Sequence, residues 1–392
     1  MAPKKVNKKV VILSHSCEGT VGIDDELFQW LQDEGYREAV LVKFPFVHST
    51  TGAIRTEIAR SGKIYRYRSL IKFYKPEILS FAKDFLYAFY YCLRFGRGAD
   101  LVIGSNNLLT TAAILARKVG AVKKVAYNII DYTPRRYSNG LINAIYYWLD
   151  RRACYNADVV MPLDPAMTRG RAEDGQLNMK WVKQLVIAPF GNNSHRYSDQ
   201  DYAVADRKKI VYMGGVLKNK GADLFVPIAQ SLIKAGFKDW HFEVIGGGDL
   251  DFLREAVAKA KLDSYFTVYG RVQDQAEMER MLMSCGVAIA PYYPEDKNNF
   301  SYYADAAKVK VYSGCGLPVV VTAVPPVAKA VEAAQAGLIA DYSADDFAAK
   351  INSICTDQKV YAKYRQAALK FGRTFAWPTI FTKMMKEIFP NA

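Results

Sequence analysis

The chain has 392 residues, more than one hydrophobic core usually holds, and two domains are expected. With 51% hydrophobic and 23% charged residues it is ordinary for a globular protein, and no run of about 18 uncharged apolar residues offers a membrane span. The net charge of +14 is uneven: residues 1–190 hold 28 Lys and Arg against 17 Asp and Glu, a net +11, which leaves +3 for the rest. The front half therefore suits an acidic partner.

Six cysteines are scattered without CxxC spacing, which argues for reduced thiols in a cytoplasmic compartment and against a zinc site. The basic start is followed by an apolar run only from Val10 to Leu13, too short for a signal peptide. It reads as the first strand, Val10–Ser14. Glu38–Phe44, Leu101–Gly104, Lys124–Asn128, Val159–Pro162 and Leu185–Ala188 follow, with amphipathic helices between them. After the polar stretch 191–207 the rhythm resumes at Lys209–Met213, His241–Ile245, Phe266–Tyr269, Val287–Ala290, Leu317–Thr322 and Gly337–Ala340. Strands alternating with helices predict an α/β chain of two Rossmann-like, doubly wound domains. Ligands of such sheets sit at the C-terminal strand ends, so a site in a cleft between the domains is expected.

Three strand-to-helix loops of the second half suit a phosphate-bearing ligand. Met213 to Gly221 carries glycines, Gly215 among them, with Lys218 or Lys220 for charge. Gly246, Gly247 and Gly248 leave room for a ligand against the backbone, and at Arg271 and Val272 main chain can meet a planar base. Asp249 and Asp251 spell D-x-D but open a helix, so capping is favoured over metal. The stretch Asp305 to Val320 reads D-A-A-K-V-K-V-Y-S-G-C-G-L-P-V-V. Asp305 and Lys308 are predicted to share a helix face near its N-terminus, where backbone N–H groups and the lysine would hold a diphosphate.

These loops, in this order over about residues 185–345, resemble the donor half of GT-B glycosyltransferases, particularly the retaining family 4. G-V-L-K-N-K-G looks like that family's first loop, V-I-G-G-G-D like its second, and V-Y-G-R-V, S-C-G-V-A-I-A-P-Y and K-V-K-V-Y-S-G-C-G-L-P-V-V follow in family order. The resemblance implies a nucleotide-diphosphate sugar as donor, with Lys220 and Lys308 at the diphosphate and Gly246–Gly248 at ribose and phosphates. No cofactor or metal is implied, since cations and helix dipoles would stabilise the leaving diphosphate. Two departures stand out. The family's pair of glutamates falls on Tyr303 and Val311, and its first-loop arginine is absent, which leaves Asp305 a sugar or ribose contact to take over. The ending F-A-W-P-T-I-F is similar to the family's closing helix. The implied domains are 1–192, 208–372 and a segment 373–392 that crosses back.

In the first half, Gly19 and Gly22 lie where the family has a glycine loop near the donor sugar, and His15 is open between strand-end packing and function. Asp131 stands about where the family often has a histidine. It would position or deprotonate an acceptor hydroxyl, or else serve as a turn residue before Pro134. Asp164 reads as a helix cap.

Residues 63–97 hold eight basic residues, including Arg66, Arg68, Lys72 and Lys75, against two acidic ones, with eleven aromatics interleaved. On helices, that mixture suits an anionic lipid surface. No nucleic-acid motif accompanies it. The expectation is a cytoplasmic, peripheral-membrane glycosyltransferase acting on a lipid-linked or glycan acceptor. The rivals are an epimerase or phosphorylase of the same build, and a catalytically silent partner subunit.

Overall fold

The computed structural model describes residues 6–16, 21–46, 52–73, 75–237, 239–294 and 300–390. The chain divides into two units, Met1–Pro189 with Phe381–Ala392, and Phe190–Ile380.

The first unit is built on a seven-stranded sheet. Its strands are β1 (Val6–Ser16), β2 (Tyr36–Pro45), β3 (Ala53–Arg60), β4 (Lys63–Lys72), β5 (Leu101–Gly104), β6 (Val125–Ile129) and β7 (Val159–Pro162), in the order β4-β3-β2-β1-β5-β6-β7. Val10 to Leu13, Val40, Val42 and Leu101 to Ile103 are almost fully buried, as continuous apolar runs must be when helices cover both sheet faces. Helices Glu77–Arg94, Asn107–Lys118 and Gly140–Asn156 pack side by side as one layer. The N-caps of the second and third are Asn106 and Asn139, whose side chains accept backbone N–H bonds. From Phe381 onward the C-terminal segment belongs to this unit, whereas residues 373–380 belong to the second: Phe381 packs on Trp30 at 5.7 Å, and Lys124 Nζ donates to the Ile388 carbonyl at 2.7 Å.

The expectation differs from the structure at β3 and β4. These two strands form an antiparallel hairpin at the sheet edge, where helices were expected to carry the basic residues. Ser61 and Gly62, both at positive φ, make the two-residue turn between Arg60 and Lys63. Arg66, Arg68 and Lys72 thus sit on edge strand β4, and Lys75 lies just before the helix Glu77–Arg94. Leu185–Ala188 contributes a single bridge to β7 at Val160 and no strand.

The second unit holds six parallel strands: β8 (Asp206–Met213), β9 (His241–Ile245), β10 (Phe266–Gly270), β11 (Cys285–Ala290), β12 (Val319–Thr322) and β13 (Gly337–Ala340), ordered β10-β9-β8-β11-β12-β13. Both units are Rossmann-like. Cys92, Cys154, Cys285, Cys315 and Cys355 are free and buried.

Candidate functional site

At the C-terminal ends of β8, β9 and β10 the loops are stitched together by main chain. Gly214 N–H donates to Ile245 O at 2.8 Å, Val216 N–H to Gly247 O at 2.7 Å, and Gly246 N–H to Gly270 O at 2.7 Å. Gly246 has φ 146°, and a Cβ there would run into the Gly214 carbonyl. Its glycine is thus required by loop-on-loop packing. Gly247 faces open space, whereas Gly248 bridges Val216. Gly215 supplies a carbonyl to Tyr212. Arg271 is exposed, and Val272 packs against an apolar cluster. Asp249 caps the helix Leu250–Lys259 through the Phe252 N–H, as expected.

Over this stitched floor stand Lys308 and Lys220. Lys308 Nζ donates to Tyr212 Oη at 3.0 Å, and that hydroxyl spends its own proton on Gly215 O at 2.7 Å. The same ammonium lies 4.1 Å from the Tyr212 ring centre and 5.1 Å from that of Tyr292; Lys220 Nζ is 5.3 Å from the Tyr292 ring and donates to Ser301 Oγ at 2.9 Å. Both lysines are half-buried, and among the described residues no carboxylate forms a salt bridge with either. Burial, and then the charge of Lys220, hold the Lys308 ammonium well below the usual lysine range, and burial lowers Lys220 as well. Tyr312 fixes the Lys308 helix to β8, its hydroxyl taking the Met213 N–H at 2.6 Å and donating back to Met213 O at 3.2 Å. Two cations beside two π faces and a run of strand-end amides are an incomplete arrangement that an anion would complete. Tyr212, Tyr292 and Ser301 were not read from the sequence. Tyr212, one residue before the end of β8, was the discernible signal.

Asp305 is a correction. The helix runs Ala307–Gly314, so Asp305 precedes it and does not share a face with Lys308. Its buried carboxylate pairs instead with buried Lys310 and accepts the Phe190 N–H at 2.6 Å. Val311 lies in an apolar cluster and Tyr303 is 1% exposed, so both side chains are packed inside the second unit.

In the first unit, His15, Phe46, Ser105, Asn106, Asn128, Asp131 and Arg136 are among the residues around a pocket of about 180 Å³ at the C-terminal ends of β1, β5 and β6. Asp131 lies on the pocket wall, where its Oδ1 takes a 2.7 Å bond from Arg136. Behind it, Arg171 donates to Asp150 at 2.9 Å and to the Asp131 carbonyl at 3.0 Å, while Tyr127 Oη donates to Asp150 at 2.5 Å. Gly22 is the N-cap of the helix Ile23–Asp33 and donates to Asp25 at 3.0 Å. Gly19 lies outside the described residues. Asp164 caps the helix Pro165–Glu173.

Residues 207–357 match the family described as "Glycosyl transferases group 1". No curated protein matches the chain. Among solved structures, sucrose-phosphate synthase from Thermosynechococcus elongatus superposes with a TM-score of 0.70 at 16% identity, over 98% of this chain and 100% of that one. Anabaena Alr3699/HepE in complex with UDP and glucose gives 0.67 at 13%, over 98% and 100%. WaaG, a glycosyltransferase involved in lipopolysaccharide biosynthesis, gives 0.66 at 13%, over 97% and 99%. At such identities the likeness establishes the fold, that of GT-B glycosyltransferases, and together with the match over residues 207–357 it indicates a glycosyltransferase.

Proposed function

We propose that this chain transfers a sugar, with retention, from a nucleotide-diphosphate donor to a membrane-associated acceptor, lipid-linked or glycan. The observation that carries the reading is the pair Lys308 and Lys220, half-buried around one tyrosine ring with no carboxylate partner among the described residues. Holding two ammonium groups together opposes folding unless a ligand repays it, and a diphosphate brings the complementary charge. During transfer the same cations and the strand-end amides would stabilise charge growing on the leaving diphosphate, in place of a metal. Asp131 would orient or deprotonate the acceptor hydroxyl. That Alr3699/HepE is a complex with UDP and glucose supports the donor class.

Support for a membrane acceptor comes from the outer side of the helix layer. Leu86 is 65% exposed, Leu141 72% and Trp148 51%, and on β4 Leu70 is 94% exposed. Residues 75–156 carry twelve Lys and Arg against five Asp and Glu. Apolar side chains in a basic surround suit a peripheral dock on an anionic leaflet. No helix of the described residues is long and apolar enough to cross a membrane.

A thermal-shift screen of nucleotide sugars, followed by donor hydrolysis and transfer to lipid-linked acceptors, tests the reading. Stabilisation by a nucleotide-diphosphate sugar with turnover is expected. Binding without any turnover would favour a silent partner subunit, the reading that Tyr303 and Val311 at the glutamate positions would then support.

A further inference from the structure

We infer that the pocket of the first unit takes an electrically neutral, polyhydroxylated ring, a neutral sugar unit, and discriminates against anionic sugars. This inference rests on the glycosyl-transfer reading and names the class of sugar on its first-unit side.

Among the described residues, the carboxylate and the two guanidinium groups on the pocket wall are already matched. Asp131 is paired with Arg136, Arg171 with Asp150, and Lys83 with Asp84 at 3.1 Å. His15 has no lone pair left for a ligand. Asn106 uses its amide oxygen on the Leu109 N–H, so its amide nitrogen donates to His15 Nδ1, and His15 Nε2 then donates to Asp84 at 3.0 Å. The phenols of Tyr127 and Tyr146 are pushed up by burial and stay protonated.

What remains open is a set of acceptors. Asn128 is 4% exposed and lines the pocket, and its amide oxygen has no hydrogen-bond partner among the described residues. Asp131 uses Oδ1 on Arg136, and Oδ2 makes no hydrogen bond among the described residues. Two acceptors ask for hydroxyl protons, and a buried acceptor left without one is costly. A carboxylate or phosphate group brings no proton and finds no unmatched cation among the described residues. Phe46, Ile129 and Ile130 supply apolar surface for the C–H face of a ring.

The test is saturation-transfer NMR on the full chain. Its probes are methyl glycosides of glucose, galactose, mannose and N-acetylglucosamine, beside glucuronate and glucose 6-phosphate, with UDP and GDP binding measured in parallel. At least one neutral glycoside should bind about tenfold or more tighter than either anion. Asn128→Ala should abolish that binding while nucleotide affinity persists. Asp131→Asn leaves Arg136 unmatched, so the preference should swing about tenfold toward glucuronate, a change that a merely structural Asp131 would not cause. Equal or tighter binding of the anions to the unaltered chain overturns the inference, and so does an unmoved preference in Asp131→Asn. Nucleotide binding with no neutral glycoside bound overturns it alone. Neutral glycosides bound at this pocket without any nucleotide binding would uphold it and sink the donor reading instead.

Discussion

Lys308 and Lys220 share one aromatic ring: their ammonium groups lie 5.1 and 5.3 Å from the centre of Tyr292. Like charges held around one ring favour an anion beside them, and Lys308 keeps its position through Tyr212 while Lys220 leans on Ser301.

Removing either ammonium should therefore weaken nucleoside-diphosphate binding. Lys308→Ala and Lys220→Ala are each expected to remove a charge-assisted contact of about 1.5–3 kcal/mol, roughly 10- to 150-fold in Kd. Titration calorimetry with UDP and GDP checks it. Unchanged affinity in a folded Lys308→Ala variant would mean the lysine pair binds something else.

The lowered lysines give binding a pH dependence of definite sign. In the free protein burial and Lys220 depress Lys308, whereas a bound diphosphate favours its charged form. Binding should take up protons, and affinity should fall as pH rises through the depressed range toward the ordinary lysine value. Calorimetry in buffers of different ionisation enthalpy reads the uptake directly. Over the same window the unfolded chain holds the proton more tightly than the fold does, so the contribution of Lys308 to stability rises with pH. Lys308→Met should accordingly raise the melting temperature of the ligand-free protein below that window while abolishing nucleotide binding.

Asp305 and Lys310 should behave as a structural pair. Asp305→Asn or Lys310→Met alone leaves a buried charge unmatched and should cost about 3–5 kcal/mol, and the double variant should recover much of it. Urea unfolding measures this. A folded, undiminished Asp305→Asn protein with lost nucleotide affinity would return Asp305 to a ligand role.

The proposed membrane dock can be probed separately on the helix layer and on the hairpin. Leu141→Glu with Ile145→Glu should release the protein from anionic vesicles in sedimentation, and Trp148 fluorescence should shift to the blue on binding only in the unaltered chain. Arg66, Arg68 and Lys72, all changed to Glu on β4, should reduce binding in a salt-dependent way, since such attraction is screened over roughly 8 Å at physiological salt. Recovery that is equal on neutral and anionic vesicles, or absent on both, would count against docking.

The sequence by itself determined the two Rossmann-like halves. Apolar runs such as Val10–Leu13 and Val319–Thr322 can be satisfied only as strands covered on both faces, a constraint that acts within a few residues. Local spacing likewise gave the strand-end loops and the caps at Asp164 and Asp249. Only the tertiary structure decided the partners. Whether Asp305 meets Lys308 or Lys310 depends on where a helix begins, and the helix begins at Ala307. The basic residues at 66, 68 and 72 became a strand because a two-residue turn at Ser61 and Gly62 and the free edge of β2 were there to receive a hairpin. Tyr212 and Tyr292 reached the lysines, and Asn128, Asp131 and Arg136 reached one pocket wall, through packing and through the closing of strand ends far apart in the chain. Such meetings follow from sheet order and side-chain packing, which no residue spacing encodes.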